Sequence, residues 1–108
     1  MTDKDILQFL HKGSENAISR EQLVILTGQD DRTNRDAIHR LRLAGHYIMS
    51  DSGGKGYWIA EDSKEVEKFL KEAKHRRDSQ YYPEMTRRFY AETGQRVTVV
   101  KEHIRKVG

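Results

Sequence analysis

The chain of 108 residues contains no cysteine, which excludes disulfides, thiolate metal sites and a cysteine nucleophile. Proline occurs once, at Pro83, and the helix stops expected elsewhere are glycines: Gly13, Gly28, Gly45 and Gly94. No run approaches the ~20 apolar residues that a membrane helix needs. The opening Met1-Thr2-Asp3-Lys4-Asp5 also lacks the apolar stretch of a signal peptide. A cytoplasmic protein with no membrane role is expected. The five histidines, His11, His39, His46, His75 and His103, include no pair four residues apart, and no phosphate-cradling glycine loop follows a strand. No catalysis, metal, cofactor or small-molecule ligand is therefore expected.

What the chain does have is charge, unevenly spread. Apolar residues make up 35% of it and charged residues 34%, with a net charge of +3. That is a lean core under a charged surface, fitting one domain plus an appendage. Residues 1–31 hold three basic and six acidic side chains, residues 32–60 five and two, and residues 61–108 twelve and nine. An acidic start thus precedes a basic middle, and local fields of this kind steer partners.

Helix signals punctuate the first half. Thr2 to Asp5 forms a capping box before Ile6, Leu7 and Leu10, with Gly13 as the stop. Ala17-Ile18 is an apolar step long enough for one or two sheet pairs. Ser19 to Gln22 is a second capping box, opening a helix with Leu23, Leu26 and one of Val24 or Ile25 inward, ended by Gly28. After Gln29-Asp30-Asp31, where either aspartate can cap, a third helix is expected to run to about Ala44 and stop at Gly45. His46–Ser50 and Tyr57–Ala60 suit strands around the Gly-rich tip Asp51–Gly56, hence a β-hairpin. Its alternation places one of Tyr57 and Trp58 in the core and the other outside.

Beyond residue 60 the pattern changes. Asp62–Glu65 caps a long helix with Val66, Phe69, Leu70 and Ala73 inward. Pro83 is expected to end or kink a helix, and Glu84–Glu92 to form another before Thr93-Gly94. Val97, Val100, Ile104 and Val107 fall at helical spacing, although Val97–Val100 has strand chemistry. The expected fold is mainly α with a small β-hairpin: a winged helix-turn-helix over residues 1–60, then a charged helical extension over 61–108. The apolar residues of that extension, among them Phe69, Leu70, Met85, Phe89, Tyr90 and Ile104, either cap the domain or form a homodimer seam through residues 62–92.

The third helix carries the functional signal. At 100° per residue, Asn34, Ala37, Ile38, Leu41 and Ala44 gather on one side and must face the core. Arg32, Arg35, His39 and Arg42 gather on the other, flanked by Thr33 and Arg40. The arginine fork binds guanine O6 and N7 together, or a phosphate bidentately. Thr33 near the helix start suits a phosphate or a thymine methyl. Asp36 sits on the same side, as an acceptor from cytosine N4, an arginine's partner, or a group that repels phosphate. Leu43 also points outward. Lys55 at the hairpin tip suits a phosphate or the minor groove, or is an ordinary turn residue. A basic helix face often serves solubility alone, but the short turn before this helix and the Gly-Gly-Lys-Gly hairpin after it favour a double-stranded DNA reader.

The stretch Ile18 to Ala60 resembles the winged helix-turn-helix of the biotin-operon-repressor type. The resemblance rests on Ile18-Ser19, on Ile38-His39-Arg40-Leu41-Arg42-Leu43-Ala44-Gly45, and on Gly54-Lys55-Gly56-Tyr57-Trp58-Ile59. In size the chain is similar to small bacterial and prophage-encoded proteins with this module. The resemblance implies DNA binding through the third helix, with Thr33, Arg35 and His39 facing bases, in a transcription regulator or a replication-associated DNA binder. Members commonly open that helix with Ser-Arg, whereas this chain has Asp31-Arg32. The enzymatic part of the namesake is absent. The rival class is a winged-helix module that docks proteins and not DNA.

Overall fold

Side-chain caps set the helix starts. In the computed structural model, which describes residues 1–51, 53–75 and 79–97, helix α1 (Arg20–Thr27) opens on a reciprocal box. Ser19 Oγ accepts from the Gln22 amide at 3.1 Å, and Gln22 Oε1 accepts from the Ser19 amide at 3.2 Å. Gly28 closes α1 in the left-handed conformation. Helix α2 (Asp31–Leu43) starts three residues later, with Asp30 Oδ1 accepting from the Thr33 amide at 2.8 Å. The turn between them is pinned from inside by the buried Asn34. Its Oδ1 accepts from the Thr27 hydroxyl at 3.1 Å, and its amide nitrogen donates to the Gln29 carbonyl at 3.4 Å. A buried amide with both ends satisfied fixes the angle at which α2 leaves the turn.

Two expectations for this region change. Only Leu23 of α1 is buried, while Leu26 is 50% and Ile25 79% exposed. The first helix is a 3-10 helix, Asp3–Phe9, that ends well before Gly13. Leu10 is already extended, since the next residues turn to the hairpin edge. There the Ile59 amide donates to the His11 carbonyl at 2.8 Å, and the Gly13 amide donates to the Ile59 carbonyl at 3.0 Å.

The hairpin is shorter than its sequence runs: β1 (Ile48–Met49) and β2 (Trp58–Ile59) pair antiparallel, Ile48 opposite Ile59 and Met49 opposite Trp58. Ile18 adds a rung on the far edge of β2, exchanging hydrogen bonds of 2.9 and 2.8 Å with Tyr57. The close approach explains Gly56. A Cβ there would lie 1.9 Å from the Ile18 carbonyl oxygen, and its φ is +108°, so no side chain fits.

This hairpin divides two hydrophobic cores. Ile48 and Tyr57 join Ile6, Leu10, Ile18, Leu23, Ala37, Ile38 and Leu41 on one face. Met49, Trp58 and Ala60 join Val66, Phe69, Leu70, Ala73, Tyr81, Met85, Phe89 and Val97 on the other. Both Tyr57 and Trp58 are therefore buried, where alternation alone leaves one outside. Residues 63–97 supply the missing cover. Helix α3 (Ser63–His75) is capped by Asp62, whose Oδ1 accepts from the Glu65 amide at 3.0 Å. The Glu65 carboxylate accepts from Trp58 Nε1 at 2.6 Å, which binds the helix start to β2.

Helix α4 (Tyr82–Thr93) contains Pro83 in its first turn and ends at the left-handed Gly94. Pro83 thus opens a helix where the sequence suggested an end or a kink, because the first-turn amide has no partner to lose. The boundary expected after Ala60 runs through the second core. Phe69, Leu70, Met85 and Phe89 are consumed inside the chain as an intramolecular cap, so they are not a free dimer seam, while Tyr90 is half exposed and Ile104 lies outside the described residues. The helix expected across Val100, Ile104 and Val107 falls outside the described residues. No described helix is long and apolar enough to cross a membrane.

Candidate nucleic-acid interface

The charged stripe of α2 divides at mid-length. In its first two turns Arg32, Thr33, Arg35 and Asp36 are all exposed. Asp31, the acid at the helix start, is not a bare negative charge. Arg20 of α1 grips it with Nε–Oδ1 at 2.9 Å and Nη2–Oδ2 at 2.5 Å, and Arg35 Nε stands 3.1 Å from Oδ2. The Arg20 guanidinium, helped by Arg35, holds the Asp31 carboxyl below the usual carboxylate range. Two cations answer one anion, and both arginine side chains keep about half their surface in solvent. Asp36 makes no ion pair among the described residues, although its charge is felt by Arg40.

The last two turns are covered. Arg42 Nε donates to the Ile48 carbonyl at 2.8 Å and Nη2 to Ser50 Oγ at 3.1 Å. Its guanidinium lies 4.5 Å from the Phe69 ring centroid and 5.8 Å from that of Tyr81, within cation–π range. His39 Nδ1 shares a 2.5 Å hydrogen bond with the Tyr81 hydroxyl, their rings edge to face at 5.4 Å. At the helix end Gly45 meets Glu84 and Arg88 of α4. Arg42 and His39 thus bolt α2 to the hairpin and to the helices that follow it.

Arg40 remains exposed but forms a bidentate pair with Asp3, at 2.7 and 2.9 Å, tying α2 to the N-terminal 3-10 helix. Leu43 stands at the border of exposure. Lys55 is exposed at the hairpin tip, its amide donating to Asp51 Oδ1 at 3.3 Å. The adjacent Gly54 closes a shallow groove whose other walls are Arg20, Glu21, Val24 and Asp31. The hairpin tip and the starts of α1 and α2 therefore meet at one place: Arg20 lines the groove, Arg35 pairs with its Asp31 wall, and the exposed Arg32 and Lys55 are the chain neighbours of Asp31 and Gly54.

Arg20 is the member that sequence reasoning left out. The available signal was its own position, the first residue of a helix that must lie beside the start of the next across a three-residue turn. Tyr57 is the other addition: its ring is in the first core, yet its hydroxyl lies in the fields of Arg42, Asp31, Arg20 and Arg35. Among the described residues no three of His, Asp and Glu come close enough to hold a metal ion. No family model, curated protein or solved structure matches this chain.

Proposed function

We propose that this chain is a winged helix-turn-helix protein that binds double-stranded DNA through the first half of α2 and the hairpin tip. The observation that carries the reading is the division of α2. Its N-terminal turns, the part that meets base edges in a helix-turn-helix, are the uncovered ones, and they adjoin a glycine-rich tip carrying Lys55. Arg35 and Thr33 read bases, Arg32, Arg20 and Lys55 take phosphates, and Asp36 accepts from a cytosine amine or limits the choice of site. His39, Arg40 and Arg42 serve the scaffold. The biological role is that of a transcription regulator or a replication-associated binder, with no catalytic step.

Duplex titration tests the reading directly. With about four phosphate contacts, log K falls with log salt at a slope of roughly −3 to −4 per protomer. Absence of duplex binding at low salt overturns it. A second reading then takes its place, a protein-docking module, favoured by the neighbouring Ile25 and Leu26, 79% and 50% exposed on α1.

A further inference from the structure

We propose that the cleft between the hairpin and α3 is a binding site for a free α-amino acid with an apolar side chain. The site goes beyond the DNA reading and does not depend on it. The cleft measures about 230 Å³, below the range of drug-sized pockets and suited to a body of one side chain. Its lining changes character with depth. Met49, Trp58 and Phe69 form the floor and are only 1%, 7% and 3% exposed. Above them stand two half-buried carboxylates, Asp51 from the hairpin and Glu72 from α3. The exposed Lys55 and Lys68 line the mouth. An apolar amino acid answers each level: its side chain meets the floor, its ammonium the acids, and its carboxylate the lysines.

The polar groups this ligand needs are not consumed within the chain. Glu65 also lines the cleft, but both its oxygens are engaged. Its Oε1 accepts from Trp58 Nε1 at 2.6 Å and its Oε2 from the Glu61 amide at 2.8 Å, so it orients the indole. Asp51 gives Oδ1 to the Lys55 amide at 3.3 Å and keeps Oδ2. Lys68 and Glu72 stand four residues apart on α3, the spacing at which ion pairs form. Neither makes an ion pair or a side-chain hydrogen bond among the described residues. A lone cation would meet the lysines and a lone anion the carboxylates, whereas a zwitterion satisfies both. The floor is also set in advance. Glu65 holds Trp58, and the Arg42 guanidinium lies 4.5 Å from the Phe69 ring centroid, so binding has little left to order.

Isothermal titration of the full chain tests the site with L-leucine and L-phenylalanine, and with phenylethylamine and phenylpropionate, which each lack one of the two charges. Emission from Trp58, the sole tryptophan, and backbone amide shifts locate the ligand. The better-bound amino acid should exceed both analogues by roughly tenfold or more in affinity. It should change Trp58 emission and shift the amides of Asp51, Lys55, Lys68 and Glu72 together. Glu72→Gln and Lys68→Met should each weaken that amino acid roughly tenfold while leaving the melting temperature of the unliganded chain unchanged. Lys68→Met should not weaken phenylethylamine, which has no carboxylate to lose. If neither amino acid binds, or if a one-charge analogue binds as tightly, the proposal is overturned. Full affinity in both variants overturns it too, as do amide shifts confined to another part of the chain. Duplex titration reads a different surface, so the DNA reading stands or falls separately.

Discussion

Arg35 and Arg42 stand seven residues apart, two turns along nearly the same line of α2, and one is half in water while the other is locked between a strand carbonyl, a serine and two aromatic rings. Helical periodicity assigns them the same direction. What separates them is whether another part of the chain arrives in that direction, and Phe69 and Tyr81 arrive only over the second half. Identical residue types on one stripe thus divide into exposed side chains and structural bolts according to cover supplied from elsewhere.

The comparison breaks most severely when the cover is removed. A chain ending after Ala60 strips α3 and α4 from Met49 and Trp58 and leaves Arg42 without its rings. Each large core side chain so exposed costs about 2–3 kcal/mol, against the small margin of a domain of about 60 residues. The expected thermal melt by circular dichroism is broad, with no cooperative transition. A sharp melt for this fragment would mean that the first core suffices and that the two halves of α2 differ only incidentally.

Next in size is Arg42→Ala in the full chain. It leaves the Ile48 carbonyl and the Ser50 hydroxyl without their donor and removes the ring contact. A loss of about 2 kcal/mol follows, a fall in melting temperature of roughly 8–16 °C. The salt slope of duplex binding should stay where it was. Arg35→Ala should do the reverse, keeping the melting temperature and costing roughly 1–3 kcal/mol of discrimination between matched and scrambled sites. Lys55→Ala, by contrast, weakens both sites equally. Equal losses on both sites for Arg35→Ala would remove it from the readers.

Much of this was legible in the sequence, for reasons that are local. Ser19 and Asp30 cap helices because their oxygens reach amides three residues on, and Gly28 ends one because it adopts the left-handed turn. The inward face of α2 follows from spacing alone. Distant pairings were not legible: Arg40 with Asp3, Arg42 with Phe69, His39 with Tyr81. Each depends on where a remote segment docks, and nothing within one helical turn of these residues records it. The burial of both Tyr57 and Trp58 has the same origin, since period-two alternation assumes a sheet with one wet face.

The smallest effect concerns pH at the join between β1 and α4. The Tyr47 hydroxyl donates to the Glu92 carboxylate, and burial together with that bond pushes the Tyr47 pKa from 10.0 up to about 12. The folded state therefore favours the protonated phenol. Its contribution is complete below pH 10 and is lost as pH rises from 10 through about 12. Melting temperature should fall over that interval, and Tyr47→Phe should flatten part of the fall. An unchanged alkaline profile would show that the hydroxyl does not brace the cover over α2.

The rungs that join Ile18 to Tyr57 and His11 to Ile59 link positions roughly forty residues or more apart, so they close a long loop and form late. During synthesis the Ile18 edge must wait for its partner until β2 has left the ribosome. The chain emerges N-terminus first at about 5–20 residues per second, so this interval lasts some seconds. Throughout it the Ile18 edge is open to any extended segment that meets it. Once Tyr57 arrives, Gly56 lets the two backbones close to a distance that no side chain would permit. The amides of Ile18, Tyr57 and Ile59 should then exchange with solvent as one slow group.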